Sequence, residues 1–200
     1  MIALIDYGIS NLRSVQKAFE HLDTEVTLVE TPDRLAQADR LILPGVGAFP
    51  AGMRGLQERG LIEPIKQAAR DGKPLIGICL GMQLLFESSD EMGETAGLGL
   101  LPGRVTRIVG SSLKVPHMGW NQLDVVRDHP LVRDLVSGAY AYFVHSYAIY
   151  PDDHSIVLAT TDYGSPFASI AGRGQVCGLQ FHPEKSQAVG LQLLKNFLEL

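Results

Sequence analysis

The segment Gly77-Ile78-Cys79-Leu80-Gly81 has the pattern of a nucleophile elbow, with a thiol where many hydrolases carry a serine hydroxyl. Such an elbow is a tight strand-to-helix turn, and small residues at Gly77 and Gly81 let neighbouring backbone pass without collision. Cys79 would then stand exposed at a helix N-terminus. The positive end of the helix favours thiolate there, and the Leu80 N–H is free to donate to a developing oxyanion. The competing reading makes Cys79 a small buried hydrophobe at the end of a core strand, with the glycines serving packing.

A thiol nucleophile needs an imidazole to take its proton and a third group to hold the tautomer of that imidazole. Phe181-His182-Pro183-Glu184 offers both at the end of a strand-like run. Pro183 breaks the strand, so His182 and Glu184 can turn to one side, with Glu184 accepting from one ring nitrogen while the other faces the thiol. Of six histidines, His182 alone has a carboxylate this close behind a strand end. His21 reads as a solvated helix end, and His129 and His154 as exposed loop residues. Cys177, inside Val176-Cys177-Gly178-Leu179, reads as a structural core residue. The histidines show no i, i+4 pair and no Cys/His cluster at ligand spacing, so no metal is expected.

These groups need a scaffold. The first third of the chain alternates β-branched runs (Ile2 to Ile5, Val26 to Val29, Arg40 to Leu43) with a helical segment from Asn11 to Leu22, where Leu12, Val15, Phe19 and Leu22 form one apolar stripe. Pro64 to Arg70 reads as a helix, Pro74 to Ile78 as a buried strand running into Cys79, and Leu80 to about Phe86 as the next helix. Strand-like runs at Val105 to Val109, Ala141 to Val144, Ile156 to Thr161 and Val176 to Phe181 suggest added antiparallel or mixed sheet. A final amphipathic helix covers Gln187 to Leu198. The expected fold is one α/β domain over residues 1–200, a central sheet with helices on both faces and the ligand site at the carboxyl ends of its strands.

In 200 residues, 46% apolar side chains with 20% charged ones suffice for one continuous core. The net charge of -5 supplies no positive field for nucleic acid, and no apolar run is long enough to span a membrane. Two cysteines without short-range pairing suggest a reducing cytoplasm.

With Gly-x-Cys-x-Gly and the later His-Pro-Glu in hand, the chain resembles the class I glutamine amidotransferase family through Pro44-Gly45-Val46-Gly47, Gly77 to Glu87 and Gly178 to Ser186. More narrowly, it is similar to the branch that serves histidine biosynthesis. Asp6-Tyr7-Gly8 with Asn11-Leu12, Val115 to Asn121, Tyr142 to Tyr147 and Phe181 to Ser186 carry that likeness. Ile9-Ser10 departs from it, since many relatives have glycine just before Asn11. The resemblance implies a flavodoxin-like, mixed but mostly parallel sheet. It also implies hydrolysis of L-glutamine to glutamate and ammonia through a thioester, without cofactor. The ammonia passes to a (βα)8-barrel cyclase in a heterodimer.

By the same resemblance, Cys79 is the nucleophile, His182 the proton shuttle and Glu184 its orienter, with the Leu80 and Val46 N–H groups as oxyanion donors. Gly47, Gln83, Glu91, His145, Ser146 and Tyr147 line the glutamine site. Asn11, His117, Trp120, Asn121, Tyr142 and Lys185 are candidates for the face that meets the cyclase, where aromatic and long amphipathic side chains concentrate binding energy. Glycine on either side of Val46 would let its peptide rotate when the partner is loaded, or else simply suits a rigid turn. Two further readings stay open: an idle domain that only regulates the barrel, and the same fold serving another synthase or acting as a free γ-glutamyl hydrolase.

Overall fold

The computed structural model describes residues 1–8, 11–109 and 113–200, so the Ile9-Ser10 departure lies outside the described residues. The parallel half of the main sheet comes from β1 (Ile2–Ile5), β2 (Thr27–Val29), β3 (Arg40–Leu43) and β4 (Leu75–Ile78). Helices α1 (Leu12–Glu20), α2 (Pro32–Ala36), α3 (Phe49–Glu58) and α4 (Ile62–Arg70) connect them, and α5 (Leu80–Leu84) follows β4. Short strands β5 (Ser88–Ser89), β6 (Thr95–Ala96) and β7 (Arg104–Arg107) come next, then β8 (His117–Val125), β9 (Ala139–His145) and β10 (Tyr147–Tyr150). The chain ends with β11 (Val157–Asp162), β12 (Pro166–Arg173), β13 (Val176–Leu179) and α6 (Gln187–Leu198).

Nine strands pair in the order β2-β1-β3-β4-β13-β12-β11-β8-β9, while β10-β7-β5-β6 make a smaller sheet. Pairing is parallel from β2 to β13 and antiparallel from β13 to β9. The mixed α/β architecture is the expected one, with a larger antiparallel share. Side chains of the central strands alternate between two cores, as the period of a strand requires. Ala3 and Ile5 of β1 and Leu41 and Leu43 of β3 join Phe49, Leu56 and Ile65 from α3 and α4. Leu4, Ile42 and Ile76 point the other way, onto Val15 and Phe19 of α1 and Leu193, Leu194 and Phe197 of α6. Covered on both faces, β4 is buried at all four positions.

Helix α3 is not foreseen from the sequence, where Pro50, Gly52 and Gly55 weaken any helical signal. Pro50 sits in its first turn, where no N–H is needed, and the glycines are demanded by packing. A Cβ on Gly52 would lie 3.1 Å from Leu84, and one on Gly55 would lie 2.5 Å from the Tyr7 carbonyl oxygen. Helix α5 is shorter than the expected Leu80-to-Phe86 run, so its dipole contributes little at Cys79. The expected helix from Asn11 to Leu22 contracts to α1, with Asp23 at positive φ just beyond it.

The elbow glycines are held by contact. A Cβ on Gly77 would meet the Gly81 carbonyl oxygen at 2.6 Å, and one on Gly81 would meet the Leu43 carbonyl oxygen at 1.7 Å. Neither oxygen can retreat without moving a central strand or the elbow itself. Gly81→Ala should therefore lower unfolding stability by about 3 kcal/mol or more, the upper end of overpacking costs, readable as a fall in the urea midpoint. A midpoint equal to the parent's would show that α5 does not lie against β3.

Candidate active site

Strands β4 and β13 are neighbours in parallel, with Ile78 opposite Leu179 and the Cys79 N–H donating to the Leu179 carbonyl at 2.8 Å. Cys79 follows β4, and His182 lies three residues beyond β13. One register thus delivers a thiol and an imidazole, over a hundred residues apart in sequence, to the same strand ends. Cys79 adopts φ 54°, ψ -112°, a left-handed backbone that costs a non-glycine residue about 1–3 kcal/mol and marks a nucleophile elbow. Its thiol is 3.9 Å from the Val144 carbonyl.

His182 Nδ1 lies 2.8 Å from Glu184 Oε1, with both side chains nearly buried. Burial by itself would lower the pKa of His182. Hydrogen bonding to Cys79 and then to Glu184, with their charges, outweighs it and pushes the value up to about 10. The imidazole is therefore held in its protonated form between two acceptors. Its backbone is pinned to β9: His182 N–H donates to the Tyr142 carbonyl at 3.0 Å, Tyr142 N–H to Ser186 Oγ at 3.0 Å, and the Ser186 hydroxyl to the His182 carbonyl at 2.6 Å. Ser186 escapes the sequence reading, since its only signal is its place at the end of His-Pro-Glu-Lys-Ser.

A cavity of about 350 Å³ opens over the thiol. Cys79, Leu80 and His182 line it together with Val46, Gly47, Gln83, Glu91, His145, Ser146 and Tyr147, so every expected substrate-site residue reaches one space. Pro116, Val144 and Lys185 complete the wall, of which Lys185 belongs to the expected partner face. Glu184 stands behind His182, outside the lining.

Two sides of the cavity are held by directed hydrogen bonds. Glu91 Oε2 accepts from Phe49 N–H at 2.7 Å, at the start of α3. Gln83 Nε2 donates to the Tyr147 carbonyl and to Gln180 Oε1, both at 3.1 Å, which commits both amide protons and leaves Gln83 Oε1 as an acceptor. The Tyr147 carbonyl also accepts from His145 Nδ1 at 2.8 Å. His145 Nε2 must then accept, so His117 Nδ1 is the donor across their 2.9 Å contact. His117 Nε2 in turn accepts from Asn121 Nδ2 at 3.2 Å, and Asn121 also donates to the Asp162 carbonyl. Burial pushes both imidazoles down to about 4, with the charge of His117 adding to the effect on His145, so both are neutral near pH 7. His145 therefore has no free ring nitrogen; it orients the Tyr147 segment.

Of the expected partner-face residues, His117 is buried, a correction, whereas Asn121 on the same side of β8 is half-buried. They share the inner side of β8, opposite His145 and Ala141, whereas Trp120 faces outward opposite Tyr142. The side-chain period of two puts positions 117 and 120 on opposite faces. His117 is buried between Phe143 and Tyr163, at 4.9 and 4.0 Å between ring centroids. The outward side carries Met118, Trp120 and Tyr140, all exposed, with Trp120 packed edge-on to Tyr142 and Lys185 Nζ 5.9 Å from the Tyr142 ring centre. Asn11 is exposed at the start of α1, on the strand-end side of the sheet that bears the cavity.

Cys177 is buried, and burial pushes its thiol up to about 12, in keeping with a core residue. His129 is half-buried, its Nδ1 accepting from Leu131 N–H at 3.1 Å, whereas His154 is exposed. Among the described residues, no group of three or more His, Cys, Asp or Glu side chains could hold a metal ion. No helix among them is long and apolar enough to cross a membrane.

The family model for class-I glutamine amidotransferases matches residues 3–200. A protein of Syntrophotalea carbinolica named imidazole glycerol phosphate synthase subunit HisH is 52% identical, covering 98% of each chain. Proteins of the same name from Geobacter sulfurreducens and Moorella thermoacetica are 49% and 51% identical, covering all of this chain and 98% and 94% of theirs. Among solved structures, a crystal structure of a glutamine amidotransferase superposes with TM-score 0.78 at 21% identity, covering 100% of this chain and 98% of that one. The PurLQS structure from Thermotoga maritima gives TM-score 0.78 at 24% identity, covering 99% and 97%.

Proposed function

Since this chain belongs to the class-I glutamine amidotransferase family, we propose that its cavity hydrolyses the side-chain amide of L-glutamine through Cys79, His182 and Glu184. The protein functions as the glutaminase subunit of an imidazole glycerol phosphate synthase, supplying nitrogen for histidine biosynthesis. The observation that carries the residue assignment is the meeting of an elbow thiol with a Glu-held imidazole at adjacent parallel strand ends.

In this reading the Cys79 thiolate attacks the amide carbon, and the carbonyl electron pair moves to oxygen. The Leu80 N–H, at the start of α5, is one donor to that oxyanion, and the Val46 N–H is the other. Collapse breaks the C–N bond as His182 hands its proton to the departing nitrogen, releasing ammonia and leaving a glutamyl thioester. Neutral His182 then takes a proton from water, and the hydroxide attacks the thioester. The second collapse expels the thiolate and frees glutamate. Glu184 keeps Nδ1 protonated throughout, so Nε2 serves the reacting atoms.

Gly47, Gln83, Glu91, Ser146 and Tyr147 hold the amino acid, and His145, both ring nitrogens committed, orients the Tyr147 segment. Gln83 Oε1 can accept a hydrogen bond from an N–H group, and the Glu91 oxygen not bonded to Phe49 suits an ammonium. Ammonia released into neutral water is protonated and lost as a nucleophile, so a sealed contact with the cyclase subunit has chemical force. The outward patch of Trp120 and Tyr142, with Lys185 at the cavity mouth and Asn11 nearby, is the surface we assign to that contact. The partner is a (βα)8 barrel in this reading, and both subunits act in the cytoplasm.

Glutamate release tests the reading when measured for the protein alone, with the cyclase, and with the cyclase plus its ribonucleotide ligand. Strong stimulation in the last mixture is expected. Equal, high turnover in all three would identify a free hydrolase instead.

A further inference from the structure

Tyr7 follows β1 and is buried, yet neither step above uses it. Its hydroxyl donates to the Pro44 carbonyl at 2.7 Å, just beyond the end of β3. Proline has no N–H, so this carbonyl is the only main-chain hydrogen-bonding group by which Pro44 can be held. Next in the chain, Gly45 is pressed against the same hydroxyl: a Cβ there would lie 2.3 Å from Tyr7 Oη, 3.0 Å from Leu80 Cβ and 3.1 Å from the Gly81 nitrogen. The ring is seated in turn against α3, where a Cβ on Gly55 would come within 3.1 Å of Tyr7 Cδ2.

Beyond Gly45 the restraint ends. Val46 is 41% exposed, and Gly47, at φ +104°, has open space where a Cβ would stand. The peptide carrying the Val46 N–H therefore joins a held residue to a free one. Burial, and then the charge of Cys79, raise the pKa of the Tyr7 phenol far above the ordinary range, so the group stays protonated and acts toward Pro44 as a donor.

We propose that Tyr7 is a positioning residue for glutamine hydrolysis: its hydroxyl clamps the Pro44-Gly45 end of the loop and so sets where the Val46 N–H meets the oxyanion. This rests on the reaction proposed above and adds to it a residue that touches no substrate. A clamp on an oxyanion donor acts on the transition state more than on the bound amide, so its loss should appear in kcat rather than KM.

Tyr7→Phe keeps the ring and removes only the hydroxyl. In the complex with cyclase and its ligand, kcat for glutamine should fall about tenfold, less than the hundredfold or more for outright loss of an oxyanion donor. KM should stay within about twofold of the parent. Alkylation of Cys79 by iodoacetamide needs no oxyanion donor and should keep the parent rate. Synthesis from added ammonium by the same complex should also be unchanged. A kcat within twofold of the parent, a loss carried by KM, slowed alkylation or a rise in unstimulated turnover would each overturn the proposal.

If Tyr7→Phe does not fold, Gly45→Ala decides, because its methyl group pushes directly on Oη. It should reproduce the loss in kcat at parent alkylation rate, and parent-like kcat would sink the clamp. A parent chain that hydrolyses no glutamine would defeat the reaction itself, an outcome distinct from a working parent with an equally active Tyr7→Phe.

Discussion

A Cys79→Ala chain is expected to release glutamate from glutamine at least about 10⁴-fold more slowly than the parent, while its complex with the cyclase should still make product from added ammonium. The loss is this large because the two-step route disappears with the sulfur: no thioester can form, and His182 and the oxyanion donors act only on direct attack by water. The substitution should leave folding nearly intact. Cys79 is small, and alanine is no worse than cysteine at a left-handed backbone position. Steady-state glutamate release and a urea titration together check both halves. Turnover near the parent rate would mean that another group attacks the amide, since Cys177 is enclosed in the sheet and cannot replace it.

His182→Ala should come close to that loss, whereas Glu184→Gln should retain roughly one to two decades more activity, because an orienter is usually less costly to remove than the base it orients. Glu184 Oε1 accepts from Nδ1. A glutamine there can present its own oxygen to the same N–H but carries no charge to hold the imidazolium. Equal losses for both variants would argue that Glu184 does more than fix the tautomer. The two chains should also differ from the parent in how stability depends on pH. The folded pKa of His182, about 10, stands above its ordinary 6.5. The stabilisation from its protonated form is therefore complete below about pH 6.5 and disappears as pH rises toward 10. The advantage of the parent over His182→Ala in unfolding free energy should shrink across that interval. A constant difference would mean that the imidazole is not held charged.

Those two experiments rest on features of very different legibility. The Gly-x-Cys-x-Gly spacing is local, and the contacts that exclude side chains at Gly77 and Gly81 bear out its steric logic. The pairing of His182 with Glu184 is local as well, two residues apart across Pro183, which opens a 3-10 turn beyond β13. By contrast, α3 is not foreseen, since glycines weaken a helical signal, although Gly52 and Gly55 are there for close packing against Leu84 and Tyr7. Which of the expected partner-face residues reach the surface was half legible. Trp120 and Tyr142 face outward, but His117 and Asn121 face inward, and only recognising β8 as a strand separates the two sets by parity. Ser186, which ties His182 to β9, leaves no trace in spacing because Tyr142, the partner that makes the tie, lies 44 residues away.

By itself the amino-acid sequence determined the chemical groups and their nearest neighbours: a thiol in a glycine-flanked turn, an imidazole beside a carboxylate, and strands apolar enough to be covered on both faces. These follow from short-range sterics and periodicity, which act within a few residues. Only the tertiary structure decided that β4 and β13 lie side by side in parallel, in the register that sets Cys79 beside His182. It also decided that His145 spends both ring nitrogens on its neighbours, and that Tyr7 reaches across to Pro44. Strand pairing and buried hydrogen bonds join distant segments, and their partners are selected by how the whole core closes.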